Sequence, residues 1–338
     1  MAEPAQNTAY QARIAQEIEN FSDVENVHEL PEIFHYWSNM HLLPEQQKFG
    51  INSPDHFFLE NLLKVCATRD GTRMISIGSG NCDLEARLAQ GLVEAGFEEF
   101  TIECMDINPQ MLERGKAHAA AQGVADFIRF READFNAWDP EGRRYDAVVA
   151  NQSLHHVLEL EHLFGAVGNA VGDSGVFLVS DMIGRNGHLR WPEARAIVDQ
   201  FWNELPQAYR YNQLLQRHEQ VFLDNDCSSH SFEGIRAQDI LPLLVQRFHF
   251  DFFFPYGNII FPFVDRAFGH NFDATADWDR DFIDRVHIRD EQELLAGNIK
   301  PTAMLAAMRN SGRESMLRDP KLTPEFCVRQ PGQNSQAG

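Results

Sequence analysis

The sequence predicts an α/β fold built on a doubly wound, mostly parallel sheet of seven strands, with N-terminal helices and two lid insertions. From Arg73 to Asp181, short apolar runs alternate with helix-length or loop-length segments, which is typical of a parallel sheet covered by helices on both faces. The first run leads directly into Gly78 and Gly80. The length of 338 residues, with 43% hydrophobic and 23% charged side chains, is that of a globular protein.

Residues 1–70 have helical spacing and predict an N-terminal helical segment, in which Ser53 caps one helix and Pro54 occupies its first turn. Five strands are then predicted at residues 74–77, 100–105, 127–130, 147–150 and 176–180. Two later apolar runs, 248–254 and 302–308, predict strands six and seven. These strands define a domain over residues 71–310.

Two long irregular segments, at about residues 182–231 and 255–298, interrupt this alternation. We interpret them as lids over the sheet rather than as a separate domain. Residues 311–338 carry Pro320, Pro324 and Pro331 and end in Gln, Asn and Gly, so this tail is predicted to be poorly ordered.

Charge and composition exclude several classes of partner. With 29 basic and 50 acidic residues the net charge is −21, which disfavours a nucleic-acid surface. The most apolar stretch, residues 248–264, is broken by Asp251 and Pro255, so no membrane span is predicted. Residues 1–16 do not resemble a secretory signal, and the five cysteines are scattered without a CxxC pair. We expect a cytoplasmic protein, and the oligomeric state stays open.

The run that leads into Gly78-Ser79-Gly80 predicts a nucleotide-type site, because glycine lets a ligand approach the backbone closely. A dinucleotide fingerprint would need a third glycine where the chain has Asp83, an acid that disfavours a pyrophosphate and tolerates a cationic ligand. Asp106 ends the second predicted strand, where α/β folds hold the two hydroxyls of a ribose. The predicted ligand is a nucleoside with a positively charged arm.

Four segments resemble, in order and spacing, the motifs of class I S-adenosylmethionine-dependent methyltransferases. They are residues 75–80 (Ile-Ser-Ile-Gly-Ser-Gly), 106–112 (Asp-Ile-Asn-Pro-Gln-Met-Leu), 132–135 (Glu-Ala-Asp-Phe) and 145–151 (Tyr-Asp-Ala-Val-Val-Ala-Asn). The resemblance covers Arg73 to Asp181 closely, and the two later runs are similar to the last strands of that fold. It implies a Rossmann-like methyltransferase fold with S-adenosylmethionine as the cofactor.

The resemblance also implies which residues bind the cofactor. The set comprises Gly78, Ser79, Gly80, Asp106, Ile107, Asp134, Phe135 and Asn151. Asp106 would bind the ribose diol and Asp134 the adenine amino group, with Ile107 and Phe135 beside the base. The glycines and Ser79 would contact the methionine part, near Asn151.

The chain departs from the family pattern at two positions. Ser76 stands where many members have an acid two residues before the first glycine, and Cys82 stands where many have a third small residue. The ammonium group of the cofactor would therefore bind backbone carbonyls or Asp83.

Histidines are the candidate bases. His155 and His156 follow the fourth predicted strand, at the edge where ligands of such sheets bind, and His188 follows the fifth. A neutral imidazole can accept a proton near neutral pH, so these three are the predicted catalytic residues. The alternative is that a member of the first pair only caps or packs the next helix.

The segment after the fifth strand is the predicted acceptor site, with Asp181, Arg190 and Trp191 as substrate-binding residues. Arg190 would pair with a carboxylate or phosphate and Trp191 would form an apolar wall; alternatively, both serve only the packing of the lid. A hard divalent cation would need clustered oxygen ligands, whereas the fourth strand ends in Asn151 and His155, so no metal is predicted.

The functional prediction is methyl transfer from S-adenosylmethionine to a small-molecule acceptor at N, O or S. One alternative is an NAD(P)-dependent oxidoreductase on the same class of fold, which the missing third glycine disfavours. Another is a non-catalytic cofactor-binding module whose lids engage a protein partner. The inserts contain no readable motif for the acceptor itself.

Overall fold

The central sheet contains eight strands. The computed structural model describes residues 4–22, 29–69, 71–229, 231–312 and 314–330. In chain order the strands are β1 (Thr72–Ile77), β2 (Phe100–Asp106), β3 (Ile128–Glu132), β4 (Ala147–Asn151), β5 (Val176–Met182), β6 (Tyr211–Asn212), β7 (Arg217–His218), β8 (His249–Tyr256), β9 (Ala303–Arg309) and β10 (Met316–Leu317). β6 and β7 form a separate hairpin, and the others lie in the order β10-β8-β9-β5-β4-β1-β2-β3.

Helices precede, connect and cover these strands. They are α1 (Pro4–Ser22), α2 (Glu32–Trp37), α3 (Leu43–Gln47), α4 (Pro54–Cys66), α5 (Asp83–Glu94), α6 (Pro109–Ala121), α7 (Leu160–Val171), α8 (Pro192–Glu204), α9 (Ala237–Arg247), α10 (Phe261–Val264), α11 (Asp277–Ala296) and α12 (Pro324–Cys327). Ser53 caps α4 as predicted, since its hydroxyl accepts the N–H of His56 at 3.0 Å. Asn108 caps α6 in the same way, so the chain turns sharply from β2 into this helix. Within the described ranges, no helix combines the length and the apolar character needed to cross a membrane.

The predicted doubly wound, mostly parallel sheet is confirmed. β1 lies between β4 and β2 and is parallel to both, and β5 and β3 continue the parallel order. β9 runs antiparallel between β5 and β8. Ile75 and Ile77 belong to an apolar core on one face, whereas Met74 belongs to the core on the other. The carboxyl ends of β1, β2, β4, β5 and β8 therefore meet along one side of the sheet, which we call the carboxyl edge.

The two insertions and part of the N-terminal segment share a third apolar core. Trp37 of α2, Val198 of α8 and Phe263 of α10 are buried in it together with Phe282 of α11. The lids are therefore not loops that lie separately on the sheet. They form a helical cap with its own interior, and α2 belongs to that cap.

The prediction of a poorly ordered tail is wrong for residues 314–330. β10 pairs in parallel with β8 and adds the eighth strand, so the predicted count of seven is one too low. Leu322 and Cys327 are only 2% and 3% exposed and pack into the core of one sheet face. Burial of these side chains fixes the segment despite its prolines. Residues 331–338 of the predicted tail lie outside the described residues.

Candidate active site

The loop after β1 is shaped by two glycines in the left-handed region. Gly78 and Gly80 have φ values of +67° and +54°. A Cβ on Gly78 would lie 2.6 Å from the Cβ of Ser153 and 3.7 Å from Cε1 of Phe135, so a side chain does not fit there. Ser153 is itself held in place, because its hydroxyl donates to the carbonyl of Ile77 at 2.7 Å. The loop is a cradle lined by backbone at the carboxyl edge.

Asp106 ends β2 beside this cradle and is 8% exposed. Its Oδ2 accepts the N–H of Gly80 and its Oδ1 accepts the N–H of Asn108, both at 2.8 Å. Burial raises the pKa of Asp106, and these two N–H donors oppose the shift. A carboxylate has about four acceptor positions. Each oxygen of Asp106 therefore keeps one position, which is what the two hydroxyls of a ribose require.

Asp134 follows β3 and contacts the N-terminal helix. Its Oδ1 accepts the N–H of Asn136 at 2.9 Å, and its Oδ2 accepts the hydroxyl of Tyr10 from α1 at 2.6 Å. Burial, with help from Asp134, raises the pKa of Tyr10, so this hydroxyl stays a donor. The Oδ2 atom keeps one acceptor position, which suits an amino group.

A carboxylate beside Ser76 is supplied from α5. The hydroxyl of Ser76 donates to Oε1 of Glu85 at 2.5 Å, and Glu85 is 3% exposed. Its Oε2 is buried without a hydrogen-bond partner among the described residues. Asp83 lies elsewhere: its Oδ1 is 3.7 Å from Nε2 of His118 on α6. Glu85 is thus the acid next to the strand, and the prediction that the cofactor's ammonium group binds backbone carbonyls or Asp83 stays open.

Glu85 is expected to make stability depend on pH. Burial raises its pKa from 4.5 to about 7, so its contribution to folding is complete below pH 4.5 and is lost as the pH rises through about 7. Glu85→Gln mimics the protonated acid, so at pH 8 it should be more stable than the native protein by up to about 3 kcal/mol. Urea unfolding at pH 4.5 and pH 8 measures this difference. The exposed Glu113→Gln is the control, and an equal gain in both variants would contradict the assignment.

Helix α1 lies over the carboxyl edge. Asn108 donates from Nδ2 to the carbonyl of Ile18 at 3.3 Å. Glu17 places Oε1 2.7 Å from Nδ1 of His156, and its Oε2 accepts the N–H of Phe232. The helix thus connects a cofactor motif, a predicted catalytic histidine and the segment that precedes α9. It forms a lid over this part of the carboxyl edge.

Asp181, near the end of β5, is fully buried. Its Oδ2 accepts the N–H groups of Ser153 and Leu154 at 2.9 and 2.7 Å. Its Oδ1 accepts the N–H of Met182 at 2.7 Å and lies 2.6 Å from Nδ1 of His155. All of its roughly four acceptor positions are used within the protein. The prediction that Asp181 binds the substrate is wrong, because this carboxylate positions the loop after β4.

Three histidines converge on Glu233, and we call these four residues the histidine cluster. His188 Nε2 lies 2.6 Å from Oε1 of Glu233, and His155 Nε2 lies 3.4 Å from the same oxygen. His156 Nε2 lies 3.4 Å from Oε2. The structure thus brings together the three histidines predicted from the sequence, around an acid that the sequence did not indicate.

His155 has carboxylates at both ring nitrogens. Burial lowers its pKa, but the charges of Asp181 and Glu233 outweigh this effect and raise the pKa to about 10. Burial raises the pKa of Glu233, and the neighbouring histidines lower it much further, to well below its usual range. His155 is therefore held as a cation. A cation cannot accept a proton, so this counts against the prediction of His155 as a general base; the predictions for His156 and His188 stay open.

Arg190 is 9% exposed and has few partners. Its Nη1 donates to the carbonyl of His188 at 2.7 Å, whereas Nε is buried without a hydrogen-bond partner among the described residues. Burial lowers the pKa of Arg190, and this effect exceeds the opposing charges of nearby aspartates such as Asp224. Trp191 instead packs against Arg329, whose guanidinium carbon lies 5.3 Å from the centroid of the Trp191 ring. Packing in the lid is therefore favoured for Trp191, and anion binding is favoured for Arg190.

Several residues at this edge were not predicted from the sequence. They are Tyr10, Glu17, Glu85, Glu233 and Tyr256. Tyr256 ends β8, and burial together with the charge of Asp181 raises its pKa to about 12. Among these residues, only Glu85 could have been indicated by the sequence, because it is an acid in the first turn of the helix that follows the glycine loop.

The fold and the site define a class of protein. A backbone cradle, a carboxylate with two free acceptor positions and a second carboxylate suited to an amino group lie at the carboxyl edge of a mostly parallel sheet. Such an edge is where open α/β sheets bind nucleosides. The molecule is a nucleoside-binding α/β protein.

A family model described as a methyltransferase domain matches residues 68–239, just over half of the chain. The chain therefore belongs to this methyltransferase family, and the resemblance to class I S-adenosylmethionine-dependent methyltransferases is confirmed. It is an enzyme of this class, with S-adenosylmethionine as its cofactor. No curated protein sequence matches the chain.

Two solved structures illustrate the likeness of the fold. An S-adenosylmethionine-dependent methyltransferase from Mesorhizobium loti is 13% identical, with 76% of this chain and 98% of that chain covered and a TM-score of 0.42. A methyltransferase from Thiobacillus denitrificans, in complex with S-adenosyl-L-homocysteine, is also 13% identical. The match covers 84% of this chain and 100% of that chain, with a TM-score of 0.41.

Proposed function

We propose that the protein transfers the methyl group of S-adenosylmethionine, directly and in line, to a small-molecule acceptor that carries a carboxylate or phosphate. The observation that carries this proposal is the buried guanidinium of Arg190, whose Nε has no partner among the described residues. A buried charge costs several kcal/mol unless it is paired. The charges of Asp224, Asp265 and Asp290 offset part of this cost, and a ligand anion at Nε would offset the remainder.

The residues at the cradle fit the cofactor. Gly78 leaves its backbone open to the methionine part, and each Asp106 oxygen keeps an acceptor position for a ribose hydroxyl. Asp134 keeps a position for the adenine amino group. The cofactor supplies a methyl group on a sulfonium, which needs no covalent help from the protein. The task of these residues is therefore to hold the nucleoside so that the acceptor can be aligned.

Arg190 is suited to hold the acceptor. Nε and an Nη of a guanidinium can donate together to one carboxylate or phosphate. Because Nη1 already donates to the carbonyl of His188, an anion bound there would lie beside the histidine cluster. His156 and His188 are the candidate proton acceptors for a protonated N, O or S group. An acceptor that is not protonated needs no base.

The experiment uses the full chain, S-adenosylmethionine labelled in the methyl group and a panel of small carboxylates and phosphates, each with its neutral amide or ester. We expect the labelled methyl group to appear on anionic acceptors. The rate of transfer to each acid should be at least about tenfold above the rate for its neutral analogue. Equal rates for an acid and its amide would contradict the role given to Arg190. Calorimetric titration with NAD(H) in the same samples tests the oxidoreductase alternative.

A further inference from the structure

We propose that His155, His188 and Glu233 bind a divalent first-row transition ion such as Zn²⁺ or Fe²⁺. They offer two imidazole nitrogens and one carboxylate oxygen, all within 4.8 Å of one another. Two histidines with one carboxylate suit such ions, whereas Mg²⁺ and Ca²⁺ prefer oxygen ligands. The proposal does not depend on which molecule accepts the methyl group.

Main-chain hydrogen bonds fix the segments that carry the ligands. The N–H of Gly187 donates to the carbonyl of Gly234 at 2.8 Å, and the N–H of Ile235 donates to the carbonyl of His155 at 3.1 Å. A Cβ on Gly234 would lie 3.0 Å from the Gly187 nitrogen, so this close approach favours glycine. Each bond involves a ligand residue or its close neighbour in sequence. The backbone therefore holds three distant segments together before any ion binds.

The surroundings of His155 resemble the outer shell of a metal site. His155 turns Nδ1 toward Asp181, at 2.6 Å, and this leaves Nε2 directed toward Glu233. Metal-binding histidines almost always donate their other N–H to a carboxylate, carbonyl or water. His188 has a φ of +57°, a conformation that is uncommon for a residue other than glycine. Such strain is concentrated at functional sites, where the surroundings hold it.

Charge and access also favour a cation. Asp181, Glu233 and Glu17 place three carboxylates around the imidazoles. The side chain of Glu233 is 35% exposed, whereas that of His155 is 6% exposed, so an ion can enter from the side of Glu233. Any proton on a coordinating nitrogen is released to solvent when the ion binds. Three protein ligands leave at least one coordination position open. His156 is then the candidate base, since His188 is a ligand.

The test is titration of the purified full chain, stripped with a chelator, with Co²⁺ at pH 8. We expect one equivalent to bind, with visible ligand-field absorption and no thiolate-to-cobalt charge-transfer band. A charge-transfer band would assign the ion to the buried Cys82, Glu85 and Cys104 and overturn the proposal. This readout uses only the native sequence, so it does not depend on whether a variant folds. Failure to bind stoichiometric Co²⁺ or Zn²⁺ would also overturn it.

Variants then locate the ion. Glu233→Gln and His188→Ala should each weaken Co²⁺ binding at least about tenfold. The matched control is His41→Ala, which removes an imidazole–carboxylate contact of 2.7 Å with Asp284 outside the cluster, and should leave affinity within about twofold. Equal affinity in Glu233→Gln and His41→Ala would refute the site. S-adenosylhomocysteine affinity, measured in the same samples, separates failure of the metal site from failure of the cofactor site.

Discussion

Asp106→Ala is expected to weaken S-adenosylmethionine binding at least about tenfold while the protein stays folded. Each oxygen of Asp106 already accepts one backbone N–H and keeps one position for a ribose hydroxyl. Hydrogen bonds to a charged group contribute about 1.5–3 kcal/mol each, so the loss of two exceeds the 1.4 kcal/mol that corresponds to tenfold. Isothermal titration calorimetry with S-adenosylmethionine measures the change.

The control for this experiment is Asp139→Ala. Asp139 also accepts a backbone N–H, from Glu141 at 2.7 Å, but it is an exposed residue outside the predicted cofactor-binding set. Cofactor affinity should stay within about twofold in this variant. Unchanged affinity in Asp106→Ala would show that the ribose binds elsewhere, and the cradle at Gly78 would lose its assignment.

Arg190→Met should abolish most of the turnover without lowering the melting temperature. Truncation of one partner of a buried charge pair costs about 2–5 kcal/mol, so kcat/KM for an anionic acceptor should fall by about thirtyfold or more. The free protein loses a buried cation whose Nε has no partner among the described residues, and a hydrophobic replacement of similar volume removes that desolvation cost. Label transfer and thermal unfolding of the same preparation measure both effects. Affinity for S-adenosylmethionine should stay within about twofold.

The melting temperature of Arg190→Met also distinguishes anion binding by Arg190 from a purely structural role in the lid. If this residue only forms a salt bridge within the lid, its replacement by Met should lower the melting temperature and leave turnover of the surviving protein unchanged. Arg217→Met serves as the control, because Arg217 lies in the same insertion, is about half exposed and pairs with Glu219. It should leave turnover unchanged, which shows that removal of a cation from this insertion is not by itself enough to lower the rate.

The sequence was sufficient where the structure follows from local patterns. The strands from β1 to β5 are apolar runs of sheet length, and Gly78 and Gly80 stand in the loop after β1, where both have a positive φ. Asp106 could be predicted because the end of a strand is fixed by the run that precedes it. These features depend on a few neighbouring residues, so the motif order was enough to indicate the family and its cofactor.

The errors arose where a role depends on how many partners a group already has. Asp106 and Asp181 look alike in the sequence, since each is an aspartate at a strand end. The structure separates them, because Asp106 has spare acceptor positions and Asp181 has none. Glu233 reaches His155 from an insertion without any repeat or spacing rule, so no pattern predicts the contact. β10 is a strand of two residues, too short to give a periodic signal.

The third apolar core joins segments of the chain that are synthesised at different times. Trp37 of α2 donates from Nε1 to Nδ1 of His287, which lies 250 residues later in the chain. At a synthesis rate of about 5–20 residues per second, α2 leaves the ribosome roughly 12–50 s before its partner helix exists. Ile33 and Trp37 are both buried in the finished protein, but during that interval the helices they pack against have not all been synthesised. The apolar side of α2 therefore stays uncovered by its final partners until α11 has been synthesised.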